Sequence, residues 1–171
     1  MVFNMRYKWI YDHAVLGKFL ILSNGKQITD ILIETAEELS LDSEDGRNQT
    51  VLQVASAWLD AYFAGQRPNP LVLPLCPKGT AFQQNVWKRL LQIPYGETIS
   101  YGQLAAELAV QMGKQRMSAQ AIGGAVGRNP ISIVIPCHRV IGANGSLVGY
   151  ASGLERKRWL LQHETGREWK I

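Results

Sequence analysis

Cysteine is nearly absent from this chain. Cys76 and Cys137 are the only two among 171 residues, too few for the disulfide framework of a small secreted domain. Long apolar runs are missing as well, and no stretch approaches the ~18 residues of a membrane helix. The amino-terminal stretch is broken by Arg6, Lys8, Asp12 and Lys18, so it lacks the apolar core of a secretion signal. A reducing cytosol of bacterial type is therefore the expected compartment, with no membrane partner and with Cys137 as a free thiol. The three histidines show no recurring short spacing to the cysteines, so no metal site is expected. Acidic residues are scarce in one part only: residues 101–171 carry four against nine Lys and Arg, whereas residues 1–100 carry ten against nine. A basic half attracts polyanions through counterion release, although a plain solvated surface can show the same excess.

What is present fits an ordinary globular protein, 46% hydrophobic and 19% charged. From Leu16 to Glu34 apolar and polar residues alternate around Asn24-Gly25, which predicts two antiparallel strands joined by a tight turn. Residues 35–48, "TAEELSLDSEDGRN", read as an acidic surface loop or ragged helix. In "TVLQVASAWLDAYFAG" the spacing of Leu52, Ala55, Leu59, Tyr62 and Phe63 predicts an amphipathic helix stopped by Gly65. The stretch "RPNPLVLPLCPKG" holds four prolines, so it reads as a linker, and a boundary follows between domains 1–78 and 79–171.

The second part opens with two capping-box patterns, Thr80 to Gln83 and Ser100 to Gln103. Phe82, Val86, Leu90 and Ile93 mark the inner face of the first helix; Leu104, Leu108 and Met112 mark that of the second. Ser118 caps a third, "AQAIGGAVGRN", which ends before Asn129-Pro130. Each glycine inside a helix costs roughly 1 kcal/mol relative to alanine, so Gly123, Gly124 and Gly127 imply a close approach. The partner is either a neighbouring helix or a nucleic-acid groove. "ISIVI" then reads as a short β-branched strand that Pro136 ends, delivering Cys137 and His138 where the chain leaves it.

A Cys-His dipeptide alone is a weak signal, because adjacent side chains do not face each other without a turn or a bridging water. An inert buried thiol beside a surface histidine is the plain alternative. Downstream lie a glycine-rich loop, "GANGSLVGYASG", and a basic helix, "LERKRWLLQHE", ending in His163-Glu164. A carboxylate that orients a histidine, which in turn deprotonates a cysteine, is the general logic of an activated nucleophile, and Glu164 is a candidate for the first role. Trp58, Trp87 and Trp159 are expected to pack in the core, His13 and His163 to be structural, and Arg156, Lys157 and Arg158 to form a solvated helical face.

The stretch "NPISIVIPCHRVIGANGSLVGYASGLERKRWLLQHE" closely resembles the active-site region of O6-alkylguanine-DNA alkyltransferases. Upstream, "GTAFQQNVWKRLLQIPYGETISYGQLA" and "AIGGAVGRNP" resemble the same family in order and spacing, so that the match spans residues 79–165; the first 78 residues match loosely, chiefly at "YFAG". The resemblance implies an α+β chain: a ribonuclease-H-like sheet-and-helix domain, then a mostly helical winged-helix or helix-turn-helix-like DNA-binding domain that carries the active site.

It also implies direct, single-turnover transfer of an alkyl group from O6-alkylguanine in double-stranded DNA to the protein's own sulfur, by a monomer at the nucleoid. No cofactor is implied, because the protein is the acceptor. Cys137 matches the acceptor, His138 the base acting through a water, Glu164 the carboxylate behind it, Asn129 a brace for the turn, and Tyr101 the phenol that protonates the departing guanine. Val140 through its backbone, Tyr150, Ala151 and Ser152 match the border of the pocket that receives the flipped base. The glycine-bearing helix matches a minor-groove recognition helix presenting Ala119, Gln120, Ala121 and Gly124, with Arg128, Lys114 and Arg116 near phosphates.

The chain departs from the family pattern twice. Gln120 stands where an arginine usually fills the gap left by the flipped base, and Ser152 stands where glycine is commoner. O4-alkylthymine stays open as a second substrate. Two rival readings remain: a sensor that binds and flips alkylated bases without transfer, against which Cys137, His138 and Glu164 speak, and a cysteine hydrolase, for which no oxyanion-hole motif is visible.

Overall fold

The computed structural model describes residues 6–33 and 43–171. The chain divides into two compact units, one of residues 1–78 together with Pro130–Ser132, the other of residues 79–129 and 133–171.

The first unit is built on a four-stranded sheet. Strands β1 (Tyr7–His13) and β2 (Gly17–Ser23) pair antiparallel, with Tyr7 opposite Ser23, and β2 pairs antiparallel with β3 (Ile28–Ile33). A two-residue strand β4 (Glu44–Asp45) adds parallel to β1, giving the order β3-β2-β1-β4. The turn expected at Asn24-Gly25 is present: Gly25 has φ 91, and the Asn24 side chain accepts from the amides of Lys26 and Gln27 at 3.0 and 2.8 Å. Strand β1 carries no local signature, because its residues are exposed or half-buried and show no clean apolar alternation. Of the expected acidic segment, residues 35–42 lie outside the described residues, and Glu44–Asp45 form β4.

Helix α1 (Thr50–Phe63) buries Leu52, Ala55, Leu59 and Tyr62, as the spacing predicts, and the chain turns away at Gly65 with φ 75. In the proline-rich stretch Pro70–Val72 form one 3-10 turn, and Leu75 lies beside Ile28 as an isolated parallel bridge. Ile131 bridges to Ile31 in the same way.

The second unit carries the predicted helices. Helices α2 (Ala81–Leu90) and α3 (Tyr101–Gln111) both begin with complete capping boxes, and Ser118 caps α4 (Ala119–Gly127); each such cap contributes about 1 kcal/mol. Val86, Leu90, Leu104 and Leu108 are buried, and the indole of buried Trp87 donates to the Ala125 carbonyl at 2.9 Å. Strands β5 (Ile99–Ser100) and β6 (Val140–Ile141) pair in parallel, so the entrance to α3 lies beside the exit from the Cys-His turn. Helix α5 (Leu154–Thr165) ends at Gly166, in the left-handed conformation.

"ISIVI" is not a strand. Ile131 makes a single bridge, the next three residues turn, and Ile133 has φ 71, a conformation no strand passes through. Residues 131–135 are all buried, and burial on every side produces the same unbroken apolar run as a buried strand.

Candidate active site

Cys137, His138 and Arg139 form one turn of 3-10 helix, all three buried. Neighbouring side chains in such a turn still diverge, so a proton can pass between Cys137 and His138 only through a bridging water. Cys137 keeps 7% of its surface exposed. Its sulfur accepts from Asn129 Nδ2 at 3.2 Å, and the same amide donates to the Ile135 carbonyl at 2.8 Å, bracing the turn from α4's end.

Behind the sulfur lies a chain of buried charge. His138 Nε2 sits 2.6 Å from Glu164 Oε1. Arg139 grips the same carboxylate at both oxygens, Nε to Oε2 at 2.8 Å and Nη2 to Oε1 at 3.0 Å, and its Nη1 donates to the Ile93 carbonyl at 2.6 Å. The Gly96 amide donates to Glu164 Oε2 at 3.1 Å. Burial by itself raises the Glu164 pKa, but His138 and Arg139 outweigh it and hold the carboxyl well below the usual range. Glu164 is thus an acceptor, and His138 Nε2 must carry the proton between them. Burial lowers the pKa of His138 in spite of Glu164, so the ring is neutral. His138 Nδ1 is buried and has no hydrogen-bond partner among the described residues. It is a bare acceptor.

Burial also pushes the Cys137 thiol up, against the opposing pull of Asn129 and the Lys157 ammonium, so the resting sulfur is a thiol that needs a base. Lys157 corrects the reading of residues 156–158 as a solvated face. It has no exposed surface, and its ammonium donates to the carbonyls of Val140 at 2.5 Å and Val148 at 2.7 Å, tying the segment before the glycine-rich loop to the loop's middle. Desolvation lowers its pKa to about 8. It lies seven residues before Glu164, two turns along the same inner helical face.

Tyr101, at the start of α3, donates to the Gly149 carbonyl at 3.0 Å, and Lys157 lies 5.8 Å over its ring. Burial and then the Cys137 charge push its phenol up to about 12, so it stays protonated at neutral pH. Tyr101, Val148, Gly149, Tyr150 and Ala151, together with Ala119, Gly123 and Gly127 of α4, line an open cavity of about 630 Å³. That is ample for a purine base. Tyr150, its hydroxyl buried without a partner among the described residues, is close enough to Cys137 for the sulfur's charge to raise its phenol further after burial has done so.

Cys137, Val140 and Ser152 do not line the cavity themselves; Tyr101 and Tyr150 of its lining are near enough to the Cys137 sulfur to feel its charge. The Val140 amide is taken by the Cys137 carbonyl and its own carbonyl by Lys157, while the Ser152 carbonyl accepts from Arg156. On the outer face of α4, Ala119, Gln120 and Ala121 are exposed and Gly124 is half-buried. Arg128, also exposed, folds back so that Nη1 reaches the Gly124 carbonyl at 3.3 Å; Lys114 and Arg116 are exposed on the connection before α4.

A family model described as 6-O-methylguanine DNA methyltransferase, DNA binding domain, matches residues 81–166, and its ribonuclease-like domain matches residues 5–77. The chain belongs to the 6-O-methylguanine DNA methyltransferase family. A methylated-DNA–protein-cysteine methyltransferase of Haemophilus influenzae is 40% identical over 157 residues, 91% of this chain and 85% of that protein. One from Methanosarcina barkeri is 42% identical, covering 90% of this chain and 96% of its own. The crystal structure of Mycobacterium tuberculosis OGT in complex with DNA is similar at a TM-score of 0.77 and 38% identity, over 95% of this chain and 94% of that one. The two-domain α+β architecture of this methyltransferase family is therefore the architecture here. In this member, the parts of the site that the sequence did not disclose are Arg139, Lys157 and Val148. The first two left a faint trace, a cation next to the Cys-His pair and a seven-residue spacing to Glu164.

Proposed function

We propose that Cys137 accepts an alkyl group from O6-alkylguanine flipped out of duplex DNA into the cavity beside Tyr101. Family membership makes the chain a DNA-repair transferase that moves an alkyl group from DNA to a cysteine; the residue roles and the docking mode are our reading. The observation that carries them is the bare Nδ1 of His138, backed by Glu164, one residue from a thiol that Asn129 holds.

The thiol gives its proton to His138 Nδ1 through a bridging water, and Glu164 stabilises the imidazolium. The sulfur then displaces guanine in line: the sulfur–carbon bond forms as the carbon–O6 bond breaks. Tyr101 protonates the departing base, and the imidazolium proton restores the phenol. The net result is a thioether and an intact guanine, with no proton gained or lost. Because nothing regenerates the thiol, each protein acts once.

A duplex must unstack the base at a cost of a few kcal/mol. Residues 119–127 expose no side chain longer than Gln120, which lets the backbone of α4 approach a minor groove closely. Lys114, Arg116 and Arg128 lie where phosphates would run. We read the protein as a cytosolic monomer that works on the nucleoid.

The test is to incubate the protein with a duplex carrying O6-methylguanine and to weigh it intact. One added methyl, on the peptide containing Cys137 and absent in Cys137→Ser, is the expected result. Binding without a mass change favours a lesion sensor, and repeated turnover favours a hydrolase.

A further inference from the structure

Glu164 is held by more than the histidine it serves. Arg139 takes both of its oxygens in a fork, is itself fixed by the Ile93 carbonyl, and lies 5.8 Å over the ring of Tyr95. A forked grip restricts the carboxylate plane in a way a single contact does not. The group so fixed is the only hydrogen-bond partner of the His138 ring among the described residues, and it settles which ring nitrogen carries the proton.

We infer that Arg139 is a positioning residue for the transfer reaction, its fork and charge together holding Glu164 so that His138 presents Nδ1 as a free acceptor. This rests on the reading of Cys137 as nucleophile and His138 as its base. Two effects combine. The fork aims the carboxylate, and through it the imidazole, whatever the pH. The charge offsets the carboxylate, which would otherwise draw a second proton onto the ring and remove the acceptor; the cation acts on His138 in that direction. The other groups facing the imidazole are Lys157 from α5, which acts in the same direction as Arg139, and Cys137 on its own turn; Tyr150 faces Glu164 and Cys137. Neither Lys157 nor Tyr150 touches the carboxylate through a hydrogen bond.

The two effects separate in two variants. Arg139→Gln removes charge and fork; Arg139→Lys keeps the charge and loses the fork. His138 is one of three histidines, so its ring is resolvable by NMR in the full chain. In Arg139→Gln, His138 is expected to take up a proton at higher pH than in the parent, and methyl transfer to fall roughly three- to tenfold more between pH 8 and pH 6 than the parent's does. In Arg139→Lys the protonation is expected to stay as in the parent while transfer slows about tenfold at every pH. An unchanged or lowered protonation pH in folded Arg139→Gln overturns the charge argument. If that variant does not fold, Arg139→Lys decides: transfer at the parent's rate overturns the inference. A parent that transfers no methyl group at any pH refutes the proposed function instead, and the NMR titration still decides the role of Arg139.

Discussion

The amide of Asn129 reaches the sulfur of Cys137 at 3.2 Å while holding the carbonyl of Ile135 at 2.8 Å. One side chain therefore both steadies the turn and favours the charged form of the sulfur, against a burial that disfavours it. Asn129→Ala should lose both. Cys137 is expected to react about tenfold more slowly with iodoacetamide at pH 8, and the fold to lose about 1 to 2 kcal/mol in urea titration. Unchanged thiol reactivity would show that the amide contributes structure alone.

Gly149 has φ 59, and a Cβ placed there would lie 2.9 Å from the Tyr101 hydroxyl. Gly149→Ala must strain the loop by roughly 1 kcal/mol and push the phenol away from its carbonyl partner. Methyl transfer is expected to drop about tenfold or more with little change in duplex affinity, since no DNA-facing side chain is altered. Full transfer activity in the alanine variant would remove Tyr101 from its assigned role.

Lys157 supplies a pH signature. Its pKa falls from 10.5 to about 8 on folding, so between those values the unfolded chain holds a proton that the folded protein does not. Stability therefore rises with pH through that window, by roughly 3 kcal/mol for this group, and the charged lysine opposes folding below it. Measured against Lys157→Met, which has no such proton, the parent should gain unfolding free energy between pH 8 and pH 10 in denaturant titrations. A constant difference between the two would mean that the ammonium is solvated rather than buried.

Gln120 is exposed at the start of α4. Gln120→Arg should bind duplex more tightly at low salt, steepen the salt dependence of binding by about one counterion, and quicken repair of an O6-methylguanine duplex. An unaltered salt slope would place this residue away from the phosphates.

How far the fold was legible follows from how local each signal is. Thr80 with Gln83 and Ser100 with Gln103 act within one turn, and both capping boxes are present. The Asn24-Gly25 turn is equally local. Strand β1 leaves no local trace, because what makes it a strand is pairing with β2 and β4, while its own residues carry little burial. "ISIVI" misled because an apolar run records burial and not backbone direction, and the positive φ of Ile133 leaves no trace in composition. The nucleophile motif could be read, but the cations around it could not. Whether Lys157 or Arg139 faces solvent or a carbonyl depends on segments 17 and 46 residues away.

Glu164 also accepts from the amide of Gly96, in the turn between α2 and β5. The carboxylate behind the bare Nδ1 is thus also a peg for the turn that leads into α3. In the proposed reading, chemistry and docking share that anchor, so a substitution at Glu164 is expected to loosen the grip on the double strand as well as slow transfer, and a rate measured at a single nucleic-acid concentration would merge the two losses.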